Sequence, residues 1–281
     1  MMNNLPYFDI FERFLDKSTL EIKSDVPETL YNAIRYSLNN GGKRIRPILF
    51  LNTYALFKEI DSCALNFAAG IEAYHAFTLV HDDLPCMDDD DFRRGLPTSH
   101  RVFGDGQAVL SGDALVNQSY AYILKSVREC NDTNVAINAA IKFNSYVGAS
   151  GLIGGQSVDI DKSLPLNEET VNYIYKHKTC DLICASMVCA AIIAGADEQT
   201  IDKIEKYAYN FGYVFQLVDD LLDAEKQTEE KTLVQLKSSE EILQIITKLV
   251  DEAILAISEV KTQNSTQFFV NLIKESVKRK F

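Results

Sequence analysis

Basic charge is what this sequence most conspicuously lacks. Its 28 lysines and arginines stand against 40 aspartates and glutamates, a formal net charge of −12. A nucleic-acid surface would carry a basic patch, so that class of partner is excluded. The six cysteines, at 63, 86, 130, 180, 184 and 189, never form a C-x-x-C pair, which leaves no zinc ribbon to build. Cys180 and Cys184 lie one helical turn apart and read as small buried hydrophobes. No secretory leader is evident in Met1-Met2-Asn3-Asn4-Leu5, and the expectation is a reduced, cytoplasmic compartment. Long apolar runs are scarce too. The longest, Leu182 to Ala196, contains Ser186 and Gly195; it reads as a core helix, too short for a membrane span.

Other absences narrow the fold. No alternating apolar pattern bounded by hairpin dipeptides appears, so no strands are expected. No internal repeat or low-complexity linker marks a boundary, and residues 1–281 read as a single domain. Helical periodicity prevails instead. Leu30, Ile34 and Leu38 share a stripe that ends at Asn39-Asn40-Gly41-Gly42, a helix-stop signal. A helix is expected to begin near Pro47, since proline suits a first turn. Further helical segments are Phe67–Asp83, Ala108–Arg128, Val135–Ala149, Glu168–Ala194, Ile201–Leu222 and Glu240–Val260, with breaks at Gly104–Gly106, Gly151–Gly155, Ser163–Pro165 and Gly195–Asp197. An all-α fold of about ten helices follows. Several helices are apolar nearly all round, so some must be central and buried.

Two acidic clusters carry the chemistry: Asp82-Asp83-Leu84-Pro85-Cys86-Met87-Asp88-Asp89-Asp90-Asp91, followed by Phe92-Arg93-Arg94, and Asp219-Asp220-Leu221-Leu222-Asp223. Both end strongly apolar helical stretches. Carboxylates so crowded repel one another unless cations neutralise them, and hard divalent ions bridging to substrate phosphates are the usual solution. Asp219 and Asp223, four apart, share a helix face, with Gln216 one turn earlier. Asp82 and Asp88, six apart, do not share an ideal face, but Pro85 between them can turn Asp88 back toward Asp82. His75, Thr78 and Asp82 align on one face. Acids for a metal beside Arg93 and Arg94 for phosphate make a consistent pair. Gly41-Gly42-Lys43-Arg44-Ile45-Arg46-Pro47 adds glycines for close backbone approach, with Lys43 and Arg46 as cations near a helix start. It is not a P-loop, because G-x-x-x-x-G-K-[ST] is missing. The alternative reading of each cluster is a solvated helix end or loop.

Taken together, Gly41–Pro47, Glu72–Gly95, Gly112-Asp113-Ala114-Leu115, Gly154-Gly155-Gln156-Ser157-Val158-Asp159, Lys178-Thr179 and Phe215–Asp223 resemble the trans-polyprenyl diphosphate synthases of the bacterial short-chain type. The resemblance implies an isoprenoid-synthase helical barrel around a deep apolar pocket. It implies Mg²⁺, as three ions, held by Asp82 and Asp88 on one side and by Asp219 and Asp223 on the other. Arg93, Lys178 and Gln216 would contact an allylic diphosphate, while Lys43, Arg46, His75 and Arg94 would hold isopentenyl diphosphate. The Lys178 carbonyl and the Thr179 hydroxyl would face an allylic carbocation. His75 reads equally as a satisfied helix histidine from the residues alone.

Product length should follow pocket depth, where the resemblance points to Phe77 and Thr78. An aromatic at Phe77 implies farnesyl diphosphate, with geranylgeranyl or geranyl diphosphate as alternatives. The resemblance also suggests a homodimer. The chain departs from the family in two places. About a dozen residues of the family's basic loop are missing after Asp223, leaving Lys231 or Lys226 as its lysine. Cys180-Asp181 replaces a small pair after Lys178-Thr179, where a carboxylate would either repel diphosphate or point outward. A catalytically impaired binding or regulatory subunit is the reading these departures favour.

Overall fold

The computed structural model describes residues 5–39, 41–223 and 231–278. It is all-α apart from one short hairpin, as expected. Its contacts cluster into two compact units, Met1–Asn52 with Ile60–Thr133, and Thr53–Glu59 with Asn134–Phe281.

The first unit is built on α1 (Phe8–Glu21), α2 (Glu28–Asn39), α3 (Ile45–Tyr54), α4 (Ser62–Asp82), α5 (Ser99–Phe103) and α6 (Asp105–Glu129). The break at Gly41–Gly42 and the helix start before Pro47 fall where the turn chemistry placed them. The central helix is α4, which opens on an Asp61 side chain accepting from the Ala64 amide at 2.9 Å. It is buried on nearly every side, as an all-round apolar helix must be. It packs along α6, and Gly70 makes that approach possible: a Cβ there would sit 2.7 Å from Ile123. The Ser119 hydroxyl donates to the Gly70 carbonyl at 2.7 Å across the same contact.

A buried ion pair fastens this unit. Arg44 sits just before α3 with φ +48°, and its side chain is 1% exposed. Its Nε donates to Glu12 of α1 and one Nη to Glu72 of α4, both at 2.6 Å. Burying a guanidinium is costly unless it is paired and hydrogen-bonded, and here two carboxylates from two helices do that.

One sequence expectation fails here. Residues Phe92–Arg93 (β1) and Leu96–Pro97 (β2) form an antiparallel pair across Arg94 and Gly95, whose φ angles are +56° and +79°. Positive φ at both central residues is the primed turn that a two-residue hairpin requires. Strands of two residues are too short to show an alternating pattern, so the hairpin left no periodic signal.

The second unit contains α7 (Thr133–Val147), α8 (Leu152–Ile160), α9 (Glu168–Ile174), α10 (Asp181–Ala194), α11 (Glu198–Asp223), α12 (Ser239–Ser258) and α13 (Gln267–Val277). Tyr175–Cys180 is a π-helical turn between α9 and α10. The expected single helix over Glu168–Ala194 thus exists but changes winding in the middle. The expected break over Gly151–Gly155 lies earlier, at 148–151, because α8 starts at Leu152 and runs through Gly154 and Gly155. Those glycines serve packing: a Cβ on Gly155 would sit 2.3 Å from the Lys178 amide nitrogen. The stop at Gly195, with φ +83°, is where glycine was expected to end a helix.

From Asp181 to Ala191 every residue of α10 is buried. The whole run from Glu168 to Ala194 is long and apolar enough to cross a bilayer by composition, unlike Leu182–Ala196 alone, but 78% of its apolar window is buried inside the protein. It is a core helix.

Removing the guanidinium by Arg44→Ala would leave Glu72 buried and uncompensated. We expect a loss of about 3–5 kcal/mol in urea-induced unfolding. Replacing both partners, Arg44→Met with Glu72→Leu, should cost less than the sum of the single changes.

Candidate active site

In the first unit the acidic loop follows directly from the end of α4. The Asp88 amide donates to the Asp82 carbonyl at 2.9 Å, and the Met87 and Asp89 amides both donate to the Leu84 carbonyl. Asp88 is therefore folded back onto the helix end that carries Asp82. Asp82 is half-buried and Asp88 exposed. The neighbouring acids have other work. Asp83 is buried and accepts from Arg93 Nε at 2.5 Å, and Asp90 takes an Arg93 Nη at 3.0 Å. Burial pushes the Asp83 carboxyl up, while Arg93 pulls it down. Asp91 and Asp89 bind Arg101 at 2.5 and 3.4 Å, a partner that sequence reasoning did not single out. Thr98 closes the loop, its hydroxyl donating to the Asp90 carbonyl at 2.7 Å.

Beside this loop, cations gather around one neutral histidine. Arg46 Nη1 lies 3.2 Å from His75 Nε2. Since the guanidinium can only donate, the ring nitrogen accepts and His75 is unprotonated there. Burial first, then the positive charges of Arg46, Arg94, Arg44 and Arg93, hold its pKa well below the usual histidine range. Burial likewise lowers Arg46 to about 10 despite the attraction of Glu72. Arg46 Nε is buried with no hydrogen-bond partner. Arg94 donates to the Gly41 carbonyl at 2.7 Å. It lies over Gly42, where φ is +120° and a Cβ would meet its guanidinium at 2.5 Å. Lys43 on the same loop is exposed. So many cations with Glu72 as the carboxylate among them make a surface suited to a multiply charged anion.

The second unit carries a polar cluster on the π turn and α11. Lys178 Nζ binds Asp159 of α8 at 2.5 Å. Thr179 donates to Gln216 Oε1 at 2.8 Å, and Gln216 Nε2 donates to Asp220 at 2.9 Å. Asp219 is half-buried and Asp223 exposed on the last turn of α11. The π turn shifts the carbonyl register by one residue, so the Asp181 amide bonds the Lys176 carbonyl. Such turns are frequent at functional sites. Asp181 takes neither of the expected orientations toward diphosphate or solvent. It is buried and accepts from His177 Nδ1 at 2.8 Å, while burial pushes its pKa up. Gln156, within Gly154–Asp159, lies on α8. Both its amide atoms are buried without a partner, the signature of a group that awaits a ligand or water.

Lys231 is drawn to the end of α8, where its amine donates to the Asp159 and Asp161 carbonyls at 2.9 Å and to Val158 at 3.3 Å. Lys226 lies outside the described residues. Phe77 is half-buried between Tyr74 and His81, with ring centroids 5.1 and 4.9 Å away in edge contacts. Thr78 donates to the His75 carbonyl at 2.8 Å. A cavity of about 50 Å³ beside the hairpin is lined by Tyr36, Leu79, Val80 and Leu96 among others, but by neither Phe77 nor Thr78.

Among the described residues no three His, Cys, Asp or Glu side chains form a ready-made metal cage. Mg²⁺ does not require one, since it is commonly held by one or two carboxylates with phosphate oxygens and water completing its shell. The oxygen-only donors at the end of α4, and separately those at the end of α11, are of the kind that suits such an ion.

Comparison with known proteins places the chain. The polyprenyl synthetase family matches residues 27–248. The chain is 40% identical over 221 residues to a putative geranylgeranyl pyrophosphate synthase 8, chloroplastic, of Arabidopsis thaliana, covering 77% of this chain and 60% of that protein. It thus spans about 60% of the length of such curated relatives. Several others are also named geranylgeranyl synthases. Among solved structures, an FPP/GFPP synthase from Zymomonas mobilis in its apo form superposes with a TM-score of 0.87 at 32% identity, covering 96% of this chain and 97% of that one. A geranyltransferase from Legionella pneumophila gives a TM-score of 0.88 at 28% identity, covering 98% and 95%. With the family match spanning most of the sequence, the chain belongs to the polyprenyl synthetase family.

Proposed function

We propose that this protein is a trans-prenyltransferase that condenses isopentenyl diphosphate with dimethylallyl or geranyl diphosphate, giving farnesyl diphosphate. The cation cluster around His75 carries the reading. Arg46, Arg94 and Lys43 would bind the diphosphate of isopentenyl diphosphate, with neutral His75 orienting Arg46. Burial first, and then neighbouring positive charge, depress both Arg46 and His75, and an anion entering there would offset the repulsive part. Asp82 and Asp88, with Asp219 and Asp223, would hold Mg²⁺ together with the allylic diphosphate. The ion, once bound, would supply charge neutralisation that makes diphosphate a good leaving group.

The remaining steps belong to the chain's own groups. Arg93, released from Asp83 and Asp90, and Lys178, released from Asp159, would bind and orient the allylic diphosphate, and Lys231 would contact it after leaving the carbonyls at the end of α8. As the carbon–oxygen bond breaks, the Thr179 oxygen would face the allylic cation and stabilise it electrostatically. The double bond of isopentenyl diphosphate then attacks, and a proton leaves to the departed diphosphate. No protein nucleophile takes part.

Phe77 supports the C15 product, its ring being held in edge contact with Tyr74 and His81. A second reading, a C20 product, is favoured by the names of the curated relatives. Asp181 gives less support than expected to an impaired regulatory subunit, since it is buried against His177. A homodimer in the cytoplasm completes the proposal; exposed apolar residues such as Leu124 and Ile141, 66% and 64% exposed, are of the kind a partner copy would cover.

Three outcomes check this function. The purified chain should turn over geranyl diphosphate and labelled isopentenyl diphosphate only when Mg²⁺ is present; diphosphate binding without turnover would support the regulatory reading. Asp82→Asn and Asp219→Asn should each lower the initial rate about a hundredfold with little change in thermal stability. Chromatography should give a C15 main product, lengthened by Phe77→Ala. A C20 product from the unaltered protein would overturn the role given to Phe77.

A further inference from the structure

The second acidic motif contains a carboxylate that the mechanism above does not use. Asp220 is 6% exposed and lies on the opposite side of α11's last turns from solvent. One of its oxygens accepts from Gln216 Nε2 at 2.9 Å, and the other accepts from the Tyr175 hydroxyl. The Tyr175 oxygen in turn accepts from the Leu233 amide at 2.9 Å. Gln216 Oε1 accepts from the Thr179 hydroxyl at 2.8 Å. Tyr175 and Thr179 both belong to the π turn, so the chain of bonds leaves that turn, crosses α11 twice and returns to it.

The polarity of this chain is dictated from one end. Asp220 accepts at both oxygens, so the Gln216 nitrogen is turned toward it and the amide oxygen is left for Thr179. The Thr179 hydroxyl must then spend its one proton on Gln216. Its lone pairs are left facing elsewhere. Tyr175 completes the arrangement. It spends its proton on Asp220, and the Leu233 amide occupies its own acceptor side, so neither partner can reverse.

We propose that Tyr175 and Asp220 are positioning residues that act through Gln216 to aim the Thr179 hydroxyl proton away from the substrate, presenting its oxygen to a developing carbocation. Asp220 on this view is no metal ligand, although it sits within the acidic motif. The same bond from Leu233 makes the relay sensitive to how the chain re-enters after the second motif, where Lys231 is seated on the α8 carbonyls.

This inference rests on the proposed prenyl transfer but is tested apart from it. Tyr175→Phe keeps the ring and removes the hydroxyl. We expect kcat to fall roughly tenfold, as for loss of a hydrogen bond to a charged group, with the KM for isopentenyl diphosphate unchanged. In a Thr179→Val background the same change should cost nothing further, because the group it positions is gone. Additive losses would overturn the proposal. Asp220→Asn should lower kcat without moving the Mg²⁺ concentration for half-maximal rate; a raised requirement would make it a metal ligand instead.

A readout independent of turnover is the Gln216 side-chain amide signal in ¹⁵N-glutamine-labelled protein, identified by its loss in Gln216→Ala. It should shift in Tyr175→Phe, and an unmoved signal would sink the relay. If the unaltered protein turns nothing over, the prenyl-transfer reading fails, and this signal still decides whether the relay exists.

Discussion

A single buried guanidinium organises the first unit. Arg44 occupies a left-handed backbone position and is enclosed by α1 and α4, where only Glu12 and Glu72 keep its charge from being prohibitively costly. Its placement fixes what stands on either side. Arg46, two residues on, is aimed at His75, and the Gly41 carbonyl before it is turned to receive Arg94. Glu72 is shared by this whole group, since its charge also raises the pKa of Arg46 and Arg94 against their burial. Glu72, shared among Arg44, Arg46 and Arg94, does not neutralise all three even with Glu12 on Arg44. That shortfall suits the region to an incoming anion.

The second unit depends on a different constraint, which is close backbone approach to a helix that changes its winding. Gly155 of α8 and Gly212 of α11 lie against the π turn: a Cβ on the first would strike the Lys178 amide nitrogen, and one on the second would crowd Cys180 at 3.0 Å. Between these contacts the turn carries Lys178 and Thr179 outward to Asp159 and Gln216, while His177 is retained by Asp181. A regular α-helix would distribute the same residues around its axis by 100° steps. The wider turn regroups them, and both units therefore place charged side chains at the ends of helices whose interiors are almost wholly apolar.

The acidic clusters illustrate how composition and role separate. The nine aspartates of the two clusters look equivalent along the chain, yet their environments differ. Asp83, Asp90, Asp89 and Asp91 serve Arg93 and Arg101. Asp220 serves Gln216 and Tyr175. Asp82 and Asp88 are joined by the backbone bond that Pro85 permits. Burial and partner geometry make these distinctions, and charge alone does not.

By itself the sequence determined the all-α class, the long apolar helices α4, α10 and α11, and the stops at Gly41–Gly42 and Gly195. Each rests on local periodicity or on a backbone angle that glycine alone adopts readily. It also determined which residue types gather near the helix ends, because carboxylates and arginines at short spacing are visible in the chain itself. Only the tertiary structure decided the hairpin at Phe92–Pro97, the helical path through Gly154-Gly155, the π turn, and the pairings of Arg44, Asp181 and Lys231. The pairings of Arg44 and Lys231 depend on partners tens of residues away: Glu72 lies 28 residues from Arg44, and Val158 lies 73 from Lys231. No local pattern encodes a contact of that range, and the free energy of burying a charge depends on which group meets it there.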